Sequence, residues 1–196
     1  MFTVIFALNM YRFSLIFIAF IVSQTLTAQE LSPRVVEVGA EVQKYPTGIL
    51  LTVRAEFSLK LHHAIDFRIG YNGLDHEDFG VHDSEIGGGF GGSVGYRYYF
   101  KESHVKWFVG ARTDLWNNEV DWIDFDEQGQ IPIAKGVSDI FVLQPTILVG
   151  YHWMFREHFV LTPTAAFGAE INIITDGADI GQGPILLLGA NLTYRF

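Results

Sequence analysis

Apolar and polar residues alternate along most of the chain from about residue 35 to its end. The alternation is clearest at 36–43, 51–59 and 65–72, and it continues at 86–100, 105–116, 140–155, 159–173 and 185–196. Strict alternation places apolar side chains on one face of a strand and polar side chains on the other. The pattern therefore predicts eight β-strands, most of them long enough to cross a bilayer at a tilt.

The connections between these segments alternate in length. Polar turns are short at 60–63, 101–104 and 156–158, whereas the connections at 73–85, 117–139 and 174–184 are long. The first connection, at 44–48, is short where a long one would be expected. An even strand number with short turns on one side and longer loops on the other is the plan of an outer-membrane barrel, with both termini on the periplasmic side.

A soluble eight-stranded barrel of the lipocalin type would also show eight alternating strands, but its apolar row would face inward. In this chain the apolar row is almost unbroken, and the opposite row carries six acids and six bases. Buried ions are costly unless they are paired, so a balanced set favours a charged interior and a lipid-facing apolar row. The predicted interior network consists of Glu37, Glu41, Arg54, Glu56, Asp66, Arg68, Arg97, Lys106, Arg112, Asp114, Glu170 and Arg195.

Glycine is frequent on the charged row and rare on the apolar row. The interior of an eight-stranded barrel is only wide enough for side chains, so glycines there leave room for arginines and for Tyr99, Phe108 and Trp116. The glycine-rich segment 87–95 is not typical of a phosphate-binding loop, because no Lys-Ser/Thr pair and no helix follow it. The predicted interior glycines are 39, 70, 87, 89, 91, 95, 110, 150, 168 and 189.

Aromatic residues gather beside the short turns. A ring of Trp, Tyr and Phe at a membrane interface is typical of transmembrane barrels. This clustering predicts a periplasmic aromatic girdle formed by Tyr96, Tyr98, Phe100, Trp107, Tyr151, Trp153, Phe155, Phe159, Tyr194 and Phe196.

The first 28 residues have the features of a secretory signal peptide. Arg12 precedes the apolar run 13–22, and small or polar residues lead to Ala28, after which cleavage is expected. The alternative, an uncleaved membrane helix, needs roughly 20 apolar residues, and this run is shorter. Cleavage would change the net charge from −9 to −10 and leave residues 29–196 as the mature barrel. The chain has no cysteine, which excludes disulfides and thiol chemistry.

The segment 34–196 resembles the small outer-membrane barrels of the OmpA/OmpX type. The resemblance rests on the architecture and, most sharply, on the final strand with its alternating apolar residues and terminal aromatic: Leu192, Tyr194 and Phe196. It implies an all-β fold, an eight-stranded antiparallel up-and-down transmembrane β-barrel with a polar, charge-filled lumen. It also implies that the final strand is the recognition signal for the barrel-assembly machinery, and that the chain lies in a Gram-negative outer membrane, in contact with lipid and lipopolysaccharide.

The long connections carry thirteen acids, against only Lys44 and Lys135 on that side. These acids form either a solvated rim or a loose cation-binding surface, and cations could bridge them to lipopolysaccharide phosphates. The segment 124–131 begins like a calcium loop, but Lys135 stands where a bidentate glutamate would be needed. The residues considered for cation binding are Asp75, Glu77, Asp78, Asp121, Asp124 and Asp126.

Three functions are compatible with this sequence. The first is a non-enzymatic, monomeric barrel with an envelope or surface-interaction role, without cofactor, metal or nucleic-acid partner. The second is a small pore, which paired charges in a narrow lumen disfavour. The third is a lipid A acyl-chain enzyme, since His82 and Ser84 form a His-x-Ser similar to that of outer-membrane deacylases. His82 and Ser84 lie in a predicted loop, however, where the geometry for nucleophilic catalysis is not provided. No catalytic residue is therefore assigned.

Overall fold

Eight antiparallel strands close into a single barrel in the order β1 to β8. A computed structural model describes residues 35–77 and 80–196, and the predicted signal peptide lies outside these residues. The strands are β1 Val36–Tyr45, β2 Gly48–Lys60, β3 His63–Glu77, β4 Ser84–Tyr99, β5 Lys106–Phe125, β6 Pro132–Phe155, β7 Phe159–Asp176 and β8 Gly183–Arg195. The predicted fold class is thus confirmed.

The ring is closed by pairing between the first and last strands. Glu37 lies opposite Arg195, and the register continues to Lys44 opposite Leu188. Closure matters because a backbone surrounded by hydrocarbon must satisfy its hydrogen bonds internally. Within the described residues, no helix is long and apolar enough to cross a membrane.

The two ends of the barrel differ. At the turn end, the connections 61–62, 100–105 and 156–158 join β2 to β3, β4 to β5 and β6 to β7. At the hairpin end lie the connections 78–83, 126–131 and 177–182, together with the tight turn 46–47. The predicted alternation in length is not found, because the β4–β5 connection 100–105 is as long as the connections 78–83, 126–131 and 177–182.

The predicted faces are found in the central part of the strands. Outward side chains such as Ile69, Phe90 and Ile147 are 70 %, 74 % and 67 % exposed, whereas Asp66 and Asp114 are completely buried. The apolar row therefore covers the outside of the barrel, and the charged row points inward.

The predicted loop 117–139 is largely strand. Pairing between β5 and β6 continues from Asn117 opposite Phe141 to Phe125 opposite Pro132, so only 126–131 remain as a connection. The prediction failed because the polarity of the two faces is reversed in this segment: the outward side chains are polar and inward ones include apolar residues. Glu119 and Asp121 point outward and are exposed, while Val120 points inward and is buried. Such a reversal is expected where strands leave hydrocarbon and enter water, because the outer face then becomes the polar one.

Glycines on the inner face make room for large rings, as predicted. A Cβ on Gly91 would lie 2.5 Å from the ring of Trp116, and a Cβ on Gly150 would lie 2.4 Å from the ring of Phe108. Both rings are fully buried. The interior of an eight-stranded barrel is narrow, so each of these aromatic side chains occupies the space that a neighbouring side chain would otherwise need.

We expect Gly91→Ala to lower the free energy of unfolding by about 1–3 kcal/mol, because the added methyl group overpacks the interior beside Trp116. Gly73→Ala is the matched control, since its Cβ would meet nothing closer than 3.5 Å. Urea unfolding in phospholipid vesicles, followed by tryptophan fluorescence, measures both variants. Equal stability of the two variants would contradict this packing.

Candidate functional site

The interior of the barrel is the first candidate site, and its turn end is closed by one ion pair. Arg195 donates to Glu37 Oε1 through Nη2 at 2.5 Å and through Nε at 2.8 Å. The hydroxyl of Thr193 donates to the other oxygen of Glu37 at 2.9 Å. Arg195 also donates to the carbonyls of Ser103 and His104 at 3.1 and 2.7 Å. The last strand is thereby tied to the first strand and to the β4–β5 turn.

A second group of charges lies deeper in the interior. Arg54 Nη2 donates to Glu56 Oε2 at 2.5 Å, and Arg97 Nη1 lies 3.2 Å from the same oxygen. Arg97 Nε donates to Asp66 Oδ1 at 3.0 Å. All four side chains are almost completely buried. Each charge therefore has a partner of opposite sign, which offsets the cost of its burial.

Glu41 lies at the centre of a third group. Its carboxylate is 3.4 Å from Arg68 Nη1 and 3.9 Å from both Arg54 Nε and Arg112 Nη1. Neither of its oxygens has a hydrogen-bond partner among the described residues, so three guanidinium groups hold it mainly by charge. Arg68 and Arg112 also bind Asp114, and the Arg112 contact measures 2.9 Å. The second and third groups together contain four acids and four arginines, so this part of the interior is electrically balanced.

Two members of the predicted network differ from expectation. Lys106 is exposed at the start of β5, with φ of 71°, and makes no ion pair in the part of the chain that the structure describes. A lysine at a rim can keep its ammonium group in water, which explains its absence from the interior. Glu170 is buried but faces an amide, because Gln144 Nε2 donates to its Oε2 at 2.5 Å. The other ten predicted charges lie in the three groups described above.

An aromatic and histidine layer fills the turn end beneath these groups. The Tyr99 hydroxyl donates to Glu56 Oε1 at 2.5 Å and lies 3.2 Å from His152 Nε2. His152 Nδ1 lies 3.1 Å from the carbonyl of His104. Ligand atoms of Glu37, Glu56 and His152 come within 4.8 Å of one another. These atoms already bind arginine, tyrosine and backbone partners, so the layer is built as a packed core and not as an open metal site.

Toward the hairpin end, an apolar layer accompanies buried polar side chains such as Asn72, Asn118 and Glu85 in the interior. Ile180, in the β7–β8 connection, is 4 % exposed and extends this apolar layer to the mouth of the barrel, the opening at its hairpin end. The connection is held by Asn172 Nδ2, which donates to the carbonyl of Ile180 at 2.9 Å, and by Ser138 Oγ, which donates to that of Ala178 at 3.0 Å. The layer contains Leu50, Leu74, Val120, Ile140, Val142, Ile180, Ile185 and Leu187.

Glu85, predicted in an acidic loop, is instead buried at the mouth. The backbone N–H groups of Val81 and His82 donate to its Oε1 at 3.0 and 3.2 Å. Its other oxygen lies 3.2 Å from His76 Nε2. Glu85 is therefore the anchor that folds the β3–β4 connection over the barrel.

His82 is the second candidate site. Its Nδ1 lies 3.0 Å from Asp124 Oδ1, and its ring stacks on Trp122 with centroids 4.1 Å apart. Ser84 precedes the inward Glu85 on β4 and so belongs to the opposite face of that strand. No hydrogen bond joins His82 to Ser84 among the described residues. The histidine has an orienting carboxylate, but in the described part of the chain no hydroxyl group donates a hydrogen bond to it, and nucleophilic catalysis requires both partners.

Among the described residues, the acids considered for cation binding form no group that could hold a metal ion. Asp75 and Glu77 lie on β3 and Asp121 lies on β5, all three on strands where loops were predicted. Asp124, also on β5, is engaged by His82. Asp78 lies outside the described residues.

Asp126 has a local structural role. Its Oδ1 accepts hydrogen bonds from the backbone N–H groups of Gln130 and Ile131 at 2.7 and 3.2 Å. These bonds hold the pKa of Asp126 below its usual range. The carboxylate closes the β5–β6 turn, so the segment that resembled a calcium loop is a hydrogen-bonded turn.

The predicted assembly signal lies on the outer surface of the last strand. Leu192, Tyr194 and Phe196 are 49 %, 38 % and 73 % exposed. The backbone N–H of Phe196 donates to the carbonyl of Val36 at 2.9 Å. The terminal aromatic is thus held at the seam between β8 and β1, and its recognition by an assembly machinery stays a prediction.

We expect Arg68→Met to lower the free energy of unfolding by about 3–5 kcal/mol, because it leaves buried carboxylates without a partner. Lys106→Met is the control and should change stability by less than about 0.5 kcal/mol, as an exposed substitution usually does. Urea titration in phospholipid vesicles compares the two. A large loss in the Lys106 variant, or none in the Arg68 variant, would refute the network described above.

The barrel is similar in fold to solved outer-membrane proteins. A major outer membrane protein of Thermus thermophilus matches with a TM-score of 0.54 and 13 % identity, covering 84 % of this chain and all of the other. Neisserial surface protein A, NspA, matches with a TM-score of 0.52 and 15 % identity, covering 84 % of this chain and 98 % of the other. These likenesses confirm the predicted resemblance to small outer-membrane barrels at the level of the fold.

No curated protein matches the sequence. A family model described as "Protein of unknown function (DUF3575)" matches residues 14–172, which is most of the chain. The final strand of the chain, with the exposed terminal aromatic, lies beyond the matched segment. The eight-stranded barrel with its charged interior is therefore the fold of a member of the DUF3575 family, to which this chain belongs.

Proposed function

We propose that the protein is a non-enzymatic integral barrel of a Gram-negative outer membrane, exported by its first 28 residues, with a surface-interaction role at the hairpin end. The observation that carries the membrane assignment is the outer face. More than thirty large apolar side chains are exposed there, and a soluble monomer rarely exposes a contiguous apolar patch above a few hundred Å². Lipid is the environment in which such a face is stable.

Aromatic rings at the turn end support this assignment. Trp107 packs against Tyr151 with centroids 5.2 Å apart, and Phe159 packs against Tyr194 at 5.5 Å. Tyr194 in turn contacts Phe196 at 5.0 Å. A belt of this kind is expected at the level of the lipid headgroups and supports a membrane interface at the turn end, which in our proposal is the periplasmic one.

The surface-interaction role rests on the hairpin formed by β5 and β6. Pairing of β6 with β7 begins only at Asp139, so residues 132–138 have β5 on one side and an open edge on the other. Glu119 and Asp121 are exposed on the outward face of β5, one strand away from this edge, and Asp139 is exposed where the pairing with β7 begins. The edge segment itself carries Lys135, but the exposed acids around it favour a cationic partner that adds as an extended strand.

The alternative functions have less support. A pore needs a continuous water column, whereas the interior contains a layer of packed ion pairs and, above it, an apolar layer capped by Ile180 and Glu85. An acyl-chain enzyme needs a nucleophile within reach of His82, and Ser84 does not provide it.

Membrane insertion is tested by expressing the chain with its signal peptide in a Gram-negative host. We expect the protein in the outer-membrane fraction, with faster migration on SDS gels before boiling than after, because a closed barrel resists SDS until heated. A soluble periplasmic protein without a mobility shift would contradict the proposal and would mean that the apolar face is not lipid-facing.

The interaction role is tested with a fluorescent oligolysine peptide and the purified barrel. We expect the triple variant Glu119→Gln, Asp121→Asn, Asp139→Asn to weaken binding about tenfold, since exposed ion pairs contribute up to about 1 kcal/mol each. Glu102→Gln, an exposed acid at the opposite end, should leave binding unchanged. Equal binding by the wild type and the triple variant would exclude this edge as the binding surface.

A further inference from the structure

A long apolar groove crosses the outer wall of the barrel from β4 to β8. Its volume is about 600 Å³. The floor is low at Ala111 and Ala165, and larger side chains such as Tyr96, Phe167 and Leu186 rise beside it. We call it the β4–β8 groove. It exists because Ala111 and Ala165 are smaller than the outward side chains around them.

The register of the strands shows that this groove rises from the turn end toward the middle of the wall. One row of cross-strand partners runs from Tyr98 to Val109, Val149, Ala165 and Leu188. Tyr98 is the last but one residue of β4, whereas Ala165 is the seventh residue of β7. Four interstrand spacings of about 4.8 Å give the row a length of roughly 19 Å. One leaflet of a bilayer has a hydrocarbon depth of about 15 Å, so the groove has the length of a single acyl chain.

The lower end of the groove meets a cationic rim. Lys60, Lys101 and Lys106 are exposed on the β2–β3 and β4–β5 turns, against the single acid Glu102 in the described residues of these turns. The turns are held together by His104, whose Nε2 lies 3.0 Å from the carbonyl of Lys60 and whose backbone N–H donates to that of Lys101 at 3.1 Å. The lysines therefore form one surface at the level where headgroup phosphates of the inner leaflet would lie.

We propose that the β4–β8 groove is a binding site for one anionic phospholipid, with its phosphate at the lysine rim and one acyl chain along the groove. The inference rests on the proposed membrane location. Lysine side chains attract an anionic headgroup, and burial of the acyl chain against apolar side chains adds to this attraction. Apolar groove and cationic rim together match the two parts of such a lipid.

A second groove on the opposite wall provides an internal control. It has about 560 Å³ and is lined by Ala40, Leu161 and Ala190. The turn nearest to it carries Arg156 and Glu157, which together have no net charge. This groove can accept a chain as any lipid-facing surface does, but it lacks the rim that would hold an anionic headgroup.

The experiment is native mass spectrometry of the detergent-purified barrel titrated with phosphatidylglycerol. We expect one tightly retained lipid, with affinity about tenfold lower in Ala165→Phe, which fills the groove, and in Lys60→Gln with Lys101→Gln, which removes two charges. Ala190→Phe, which fills the control groove, should leave retention unchanged. All these side chains point away from the core, so the fold should be preserved.

Equal lipid retention by the wild type and both groove-site variants would overturn the proposal. An equal loss of lipid affinity in Ala165→Phe and Ala190→Phe would also overturn it, because it would indicate unspecific lipid coating. Heat-modifiability of each variant separates this failure from failure of the membrane assignment, since a heat-modifiable barrel without a retained lipid contradicts only the lipid site. If Ala165→Phe does not fold, the lysine variants decide the question on their own.

Discussion

Pairing of buried charges is the constraint on which this barrel depends. Eight strands enclose a space too narrow for bulk water, and each arginine placed there must meet a carboxylate. Glu41 illustrates this pairing, because three guanidinium groups surround its carboxylate. Because the charges compensate one another inside the ring, the outer face is free to be apolar.

The interior is organised in layers along the barrel. Tyr99 and His152 close the turn end, the balanced charges occupy the middle, and an apolar layer closes the hairpin end. The β3–β4 and β7–β8 connections lie close together at the hairpin end, since a Cβ on Gly181 would lie 3.0 Å from the Cα of Gly80. Such a filled interior leaves the outer wall and the two rims as the surfaces that other molecules can reach.

Much of this could be predicted from alternation alone. The sequence pattern predicts the eight strands, the inward charges and the glycines beside Trp116, because period-2 patterning translates directly into two faces. It fails at β5 and β6 beyond Asn117, where the outer face becomes polar on leaving the hydrocarbon and the alternation is reversed. Glu85 and Ile180 could not be placed either, since their burial depends on how two connections fold over the mouth. Lys106 follows the alternation, but it lies at the end of the barrel, where its ammonium group can reach water.

The central claim, that the apolar face meets lipid, is tested most directly by spin labelling. The chain has no cysteine, so Phe90→Cys, Ile147→Cys and Gln128→Cys each carry a single nitroxide. In bilayers we expect labels at 90 and 147 to collide with oxygen, which concentrates in hydrocarbon, and to be inaccessible to a water-soluble nickel chelate. The label at 128, in the exposed β5–β6 turn, should show the reverse. Nickel accessibility at 90 and 147 as high as at 128 would contradict a lipid-facing wall.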